Sequence, residues 1–318
     1  MGIFYFWTNQ SCQLMSDFKV TILGNGSAVP TASQHPSSQI VMLANEQFMI
    51  DCGEATQMQM IKYKIKHRNL NNIFISHLHG DHYFGIFGLI STFHLFGRKE
   101  SLNIYAPAEL ESLIAHQLRI SKTNLHFKLN FHCLEDYENS PILIYNDFTV
   151  KTFPLYHRIP TWGVKIVKED KELRIDKNFI LKYNPSFEQI HSIKRGDDYI
   201  RETGEVVKNK EITLPIKPIK TYVYCSDTAY NEELINVVKN ADLLYHEATF
   251  DNSMEGLAKD KYHSTSAHAA TLAKESGVGQ LLLGHYSARF EDLSELLMQA
   301  QVIFPKTALS EEGKSYTI

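Results

Sequence analysis

Ser76-His77-Leu78-His79-Gly80-Asp81-His82 follows the apolar run Ile73-Phe74-Ile75 and sets four metal-binding side chains, His77, His79, Asp81 and His82, within six positions. Two divalent ions roughly 3.5–4 Å apart require such crowding, because each needs several imidazoles or carboxylates around it. A tight turn leaving a strand can deliver them. His77 and His79 differ by two, so on an extended backbone they leave one face together, and Gly80 gives the chain freedom to turn and send Asp81 and His82 toward a second ion. A structural zinc site would more usually carry paired cysteines, and none stand nearby. The stretch points to a two-metal hydrolase.

The rest of the chain is compatible with that chemistry. Its 318 residues suffice to bury a full core, and 43% hydrophobic with 21% charged residues is the composition of an ordinary globular protein. A net charge of −4 gives no whole-molecule signal for nucleic acid, but residues 163–220 hold 13 Lys/Arg against 10 Asp/Glu. Any contact with a polyanion is therefore local. Cys12, Cys52, Cys133 and Cys225 form no C-x-x-C pair, which argues against thiolate metal binding and a disulfide framework. No apolar run reaches the ~20 residues that span a membrane, and the Ile3–Trp7 run lacks the basic flank of a signal peptide. A reducing cytoplasmic setting is expected.

Residues 1–16 match no periodic pattern and read as an N-terminal extension, so residues 17–318 are expected to form one α/β domain. The first convincing strand is Phe18-Lys19-Val20-Thr21-Ile22-Leu23. Gly24-Asn25-Gly26 after it is no dinucleotide fingerprint, because the third glycine position is Val29 and Pro30 follows. Strands are expected at 39–43, 47–51, 102–106, 126–132, 148–153, 163–167, 221–225, 242–245 and 280–284. Helices are expected at 85–96, 108–120, 231–239, 265–276 and 292–301, with Thr265 or Ser266 capping the fourth. The segment 168–218 is polar, mixed in charge and interrupted by prolines. It would be a poor core element and reads as an insertion or protruding arm.

Further ligand candidates stand where later strands end: His157 after Leu155-Tyr156, Asp227 after Cys225-Ser226, and His285 after Leu283-Gly284. With these residues in view the chain resembles the metallo-β-lactamase fold, an αββα sandwich, and within it the ribonuclease Z family of transfer RNA 3′-processing endonucleases. The resemblance spans about residues 18–305. It rests on Leu23-Gly24-Asn25-Gly26-Ser27-Ala28-Val29-Pro30, Asp51-Cys52-Gly53-Glu54-Ala55-Thr56-Gln57, the cluster at 76–82, Ser226-Asp227-Thr228, His246-Glu247-Ala248-Thr249, His263-Ser264-Thr265 and His285-Tyr286-Ser287-Ala288-Arg289-Phe290.

The resemblance implies that His77, His79 and His157 hold one Zn²⁺, that Asp81, His82 and His285 hold a second, and that Asp227 bridges them, with Mn²⁺ as an alternative metal. It further implies that Asp81 orients the nucleophile and that His263, oriented by Glu247, gives a proton to the leaving ribose oxygen; His246 is expected to be structural. The substrate implied is a transfer RNA precursor cut to leave a 3′ hydroxyl on the transfer RNA and a 5′ phosphate on the trailer. The family's arm grips transfer RNA, often across a homodimer, and 168–218 lies where that arm would be, making Lys194, Arg195 and Arg289 candidate RNA contacts. Some family features are missing. The arm has Tyr183-Asn184-Pro185-Ser186-Phe187 in place of a Gly-Pro-rich stretch, no arginine occurs between Gly24 and Ile61, and Ala308-Leu309-Ser310-Glu311 replaces an Ala-x-Asp-Phe pattern. The competing expectation is a phosphodiesterase of the same fold acting on small phosphodiesters.

Overall fold

The computed structural model describes residues 18–43, 46–137, 140–201 and 203–318, so the expected N-terminal extension lies outside the described residues. The chain divides into two compact units, one comprising the residues up to His132 together with Ser310–Ile318, the other Cys133–Leu309.

The first unit is built on a seven-stranded sheet in the order Ser315–Thr317, Phe18–Gly24, Ser38–Leu43, Glu46–Cys52, Leu70–Phe74, Leu102–Ala106 and Leu129–Cys133. Its early strands pair antiparallel, as short connections allow, and the pairing turns parallel from Glu46–Cys52 through Leu70–Phe74 to Leu102–Ala106. The expected strand at 126–132 is shifted to Leu129–Cys133. Helix Gly85–Leu95 lays Ile86, Leu89, Ile90 and Phe93 onto Ile73, Ile75 and Ile104, and helix Glu109–Ile120 adds Leu110 and Ile114. These are the i, i+3, i+4 positions of one helical stripe.

Backbone contact fixes the turn that carries the histidines. A side chain at Gly85 would meet the Gly53 carbonyl at 2.1 Å, and one at Gly53 would meet the Asp81 carbonyl at 2.5 Å. The turn therefore lies directly on the end of Glu46–Cys52. Gly80 does not supply the conformational freedom expected of it: it opens the short helix Gly80–Tyr83 without a positive φ. What excludes a side chain there is the Phe84 ring, 2.3 Å from an ideal Cβ.

The second unit carries the sheet Thr307–Leu309, Gln280–Gly284, Leu243–Glu247, Lys220–Cys225, Thr161–Lys168, Phe148–Leu155 and Leu143–Ile144. The first four are mutually parallel, and Leu243–Glu247 is buried at every position, as expected of a parallel strand covered on both faces. Helix Ser266–Glu275 packs Ala269, Ala270, Leu272 and Ala273 into the core with Leu244, Leu281 and Leu283, beside Leu296 and Ala300 of helix Ser294–Ile303. Alanines there let the helix approach closely. Thr265, one of the two expected caps, closes a capping box with His268.

The arm leaves and rejoins at neighbouring positions, since Lys168 on Thr161–Lys168 pairs with Lys220 on Lys220–Cys225. Within it Phe179, Ile193, Tyr199 and Ile212 form a separate buried cluster between helices Lys177–Tyr183 and Phe187–Lys194 and short strand pairs. Among the described residues no helix is long and apolar enough to cross a membrane.

Candidate active site

In both units most candidate ligands follow the carboxyl ends of strands, where parallel α/β sheets usually place ligand-binding groups, whereas His263 follows helix Glu255–Lys261. Within the first unit, His77 and His82 are fully buried and their ring centroids lie 4.1 Å apart. His77 Nε2 is 3.0 Å from His79 Nδ1, so the two-residue spacing does bring two imidazole nitrogens together. His82 Nδ1 lies 2.8 Å from Asp51 Oδ2, which leaves its Nε2 facing Asp81 Oδ2 at 3.6 Å. Asp81 Oδ2 also accepts the Ala28 backbone N–H at 2.7 Å. The turn after the first strand thus positions a candidate ligand.

Asp51 is the residue whose role the sequence left unread. Fully buried at the end of Glu46–Cys52, it accepts from the Ser76 backbone N–H at 2.7 Å and the Ser76 hydroxyl at 2.9 Å, and pairs with His82. Its signal was a carboxylate inside Phe48-Met49-Ile50-Asp51-Cys52, because a buried charge must find partners.

Within the second unit, Asp227, His263 and His285 each offer a ligand atom, all within 4.8 Å of one another. Asp227 follows Lys220–Cys225 and His285 follows Gln280–Gly284. His285 Nε2 lies 3.1 Å from Asp227 Oδ1, and His157 Nε2 lies 3.8 Å from Asp227 Oδ2. The far nitrogens are occupied: His157 Nδ1 donates to the Tyr262 carbonyl at 2.8 Å, and His285 Nδ1 meets Thr249 Oγ1 at 2.8 Å. Burial holds the His157 imidazole below its ordinary range against the pull of Asp227, which favours the neutral ring a metal requires. Tyr262, Asp51, Ala28 and His285 all take left-handed backbone conformations, which cost a non-glycine residue of the order of 1–2 kcal/mol. Such strain gathers at functional sites.

Glu247 is completely buried, and its two oxygens are shared out. Oε1 accepts from the Thr228 N–H at 2.9 Å and from His263 Nδ1 at 2.8 Å, while Oε2 accepts from Thr249 through its N–H at 3.1 Å and its hydroxyl at 2.7 Å. Burial alone would raise this carboxyl, yet the charge and hydrogen bond of His263 outweigh it and hold Glu247 below its usual range. Glu247 therefore stays ionised and keeps His263 oriented. The cap of the following helix is Thr265, so His263 is not spent on capping. His246 donates from Nδ1 to the Glu247 carbonyl at 2.7 Å, and burial depresses its pKa. That is a structural role.

The donor set fits divalent metal ions. His82, His157 and His285 each engage Nδ1 and turn Nε2 toward a carboxylate oxygen 3.1–3.8 Å away, the spread expected where two ligand atoms at ~2.0–2.2 Å share one ion. Imidazole held through its other nitrogen is the usual arrangement of metal-binding histidines. Of the expected RNA contacts, Lys194 pairs with Glu172 at 3.3 Å and Arg195 is exposed at the end of helix Phe187–Lys194. Arg289 lies over the Phe250 ring at 5.2 Å, and that ring stands 6.0 Å from His263.

Comparison with known proteins adds the following. A family model described as Anti-Pycsar protein Apyc1 matches residues 18–179. A ribonuclease Z from Bacteroides fragilis is 44% identical over 299 residues, covering 94% of this chain and 98% of that protein. One from Parabacteroides distasonis is 42% identical and is covered completely. The crystal structure of human tRNase Z, short form, superposes with a TM-score of 0.69 at 26% identity, covering 94% of this chain and 99% of that one. The metallo-β-lactamase fold protein YhfI from Bacillus subtilis superposes with a TM-score of 0.66 at 21% identity, covering 94% of this chain and 98% of that one.

Proposed function

The chain belongs to the ribonuclease Z family and, over residues 18–179, to the family described as Anti-Pycsar protein Apyc1; it has the metallo-β-lactamase fold, and from that premise we propose that it removes the 3′ trailer from transfer RNA precursors. The enzyme is a metal-dependent phosphodiester hydrolase, an endoribonuclease. In our reading His77, His79 and His157 would hold one Zn²⁺, Asp81, His82 and His285 would hold a second, and Asp227 would contribute to holding them. Bound there, the metal supplies an activated water and neutralises charge developing on the phosphate oxygens.

The protein's own groups do the rest. Asp81, steadied by the Ala28 N–H, orients the attacking water and takes up its proton. As the new P–O bond forms, the bond from phosphorus to the ribose 3′ oxygen breaks, and His263 gives that oxygen a proton. The products are a transfer RNA with a 3′ hydroxyl and a trailer with a 5′ phosphate. The observation that carries this reading is the 2.8 Å pairing of His263 with fully buried Glu247, in the same cluster as Asp227 and His285. A His–carboxylate pair is suited to protonating a leaving group, because the carboxylate favours imidazolium and fixes its orientation. Arg289 beside Phe250, together with Lys194 and Arg195 on the arm, would contact RNA phosphates, which fits recognition by shape. We assign the protein to the cytoplasm as a homodimer, and sedimentation of the metal-loaded protein tests the dimer.

The deciding experiment incubates zinc-loaded protein and its His263→Ala variant with a trailer-bearing precursor and maps the ends. The expected result is one cut beside the acceptor stem leaving a 3′ hydroxyl, slowed ~10²–10⁴-fold by the substitution. Absence of that cut, with a small phosphodiester still hydrolysed, would replace this reading with the small-diester one.

A further inference from the structure

Two buried hydroxyls stand between a carboxylate and a histidine that the proposed function uses as a metal ligand. Thr249 Oγ1 donates to Glu247 Oε2 at 2.7 Å and lies 2.8 Å from His285 Nδ1. In the other unit, Ser76 Oγ donates to Asp51 Oδ2 at 2.9 Å and lies 3.0 Å from His77 Nδ1. Thr249 is 3% exposed and Ser76 2%, so bulk water does not compete for either hydroxyl.

A hydroxyl has one proton to give, and an ionised carboxylate can only accept. Once that proton points at the carboxylate, the hydroxyl offers the imidazole a lone pair. The nearby Nδ1 must then carry the hydrogen, and the unprotonated lone pair belongs to Nε2. The geometry points to Thr249 and Ser76 as positioning residues that set His285 and His77 in the Nδ1–H tautomer, so that Nε2 of each is the metal donor. The two assemblies resemble one another further: Asp51 also binds His82 Nδ1, and Glu247 also binds His263 Nδ1. One buried carboxylate thus serves two histidines in each unit, one directly and one through a hydroxyl.

This inference rests on reading His77 and His285 as ligands, and its test needs no RNA. Full-length Thr249→Val, Thr249→Ser and Ser76→Ala proteins are stripped of metal and titrated with zinc against a chromophoric chelator. Thr249→Val keeps the shape and removes the hydroxyl that accepts from His285 Nδ1–H, and is expected to weaken zinc binding ~10–100-fold, as loss of such outer partners does. Ser76→Ala is expected to do the same in the other unit. Thr249→Ser retains the hydroxyl and should bind within about threefold of wild type, a margin of under 1 kcal/mol. Nitrogen NMR of histidine-labelled protein supplies a second readout, with one imidazole losing its fixed Nδ1–H signature in Thr249→Val and keeping it in Thr249→Ser. Wild-type zinc affinity and tautomers in folded Thr249→Val and Ser76→Ala would overturn the inference. Should Thr249→Val fail to fold, Ser76→Ala decides alone. A wild-type protein that cuts no precursor, yet whose zinc affinity responds to these substitutions, would refute the proposed substrate and leave the inference standing.

Discussion

At the scale of single residues the site is a matter of where protons are held. His246 offers a test away from the metals. Its imidazole is buried and its pKa lies below the ordinary value, burial being the main cause. An unfolded chain takes up a proton near pH 6.5, and the native protein resists doing so. Between the folded and unfolded pKa the unfolded state therefore binds more protons, so stability is full above about pH 6.5 and is lost as the pH falls toward the folded value. Urea unfolding of metal-free protein at pH 7 and pH 5 should show a larger loss for wild type than for His246→Asn, and equal losses would refute the assignment. The histidines and Asp81 stood out in the sequence as candidate ligands because metal-binding side chains cluster by chemistry and spacing. Asp51, Ser76 and Thr249 were not, since a serine or threonine hydroxyl looks the same in sequence whether it caps a helix, faces water or holds an imidazole. Only the 2.7–3.0 Å contacts distinguish these cases.

Among the elements, those with one strongly apolar face were readable. Helix Ser266–Glu275 and strand Gln280–Gly284 fall where hydrophobic periodicity and a threonine cap set them. The arm's helices were hidden for the opposite reason. Lys177–Tyr183 and Phe187–Lys194 bury one residue each, Phe179 and Ile193, which is too little for a 3.6-residue period to show. Helix Ser266–Glu275 makes a prediction of its own. Its contact face is Ala269, Ala270 and Ala273, all fully buried, so the helix lies close and has no room to grow. Ala270→Leu should lower stability by ~1–3 kcal/mol through overpacking. Chemical denaturation measures this, and a neutral effect would mean the face is looser than its burial suggests.

For the molecule as a whole, the test of the expected arm is its deletion. Lys168 and Lys220 are paired across adjacent strands, about 5 Å apart at Cα as such neighbours are, so a two-residue turn can replace residues 169–219. The arm also carries its own buried cluster, and little of the main cores leaves with it. The shortened protein is expected to fold and to hydrolyse a small phosphodiester at near wild-type rate, while cleavage of transfer RNA precursor falls at least ~100-fold, equivalent to about 2.7 kcal/mol of transition-state binding. Unchanged precursor cleavage by a folded deletion protein would remove the arm from recognition. The first sheet behaves differently, because its strand Phe18–Gly24 is bordered by Ser315–Thr317, and the Thr21 and Ser315 hydroxyls that meet there are 294 residues apart in sequence. On a ribosome adding ~5–20 residues per second, the earlier strand waits roughly 15–60 s for that neighbour. Throughout that interval one margin of the nascent sheet stays open to pairing with other chains.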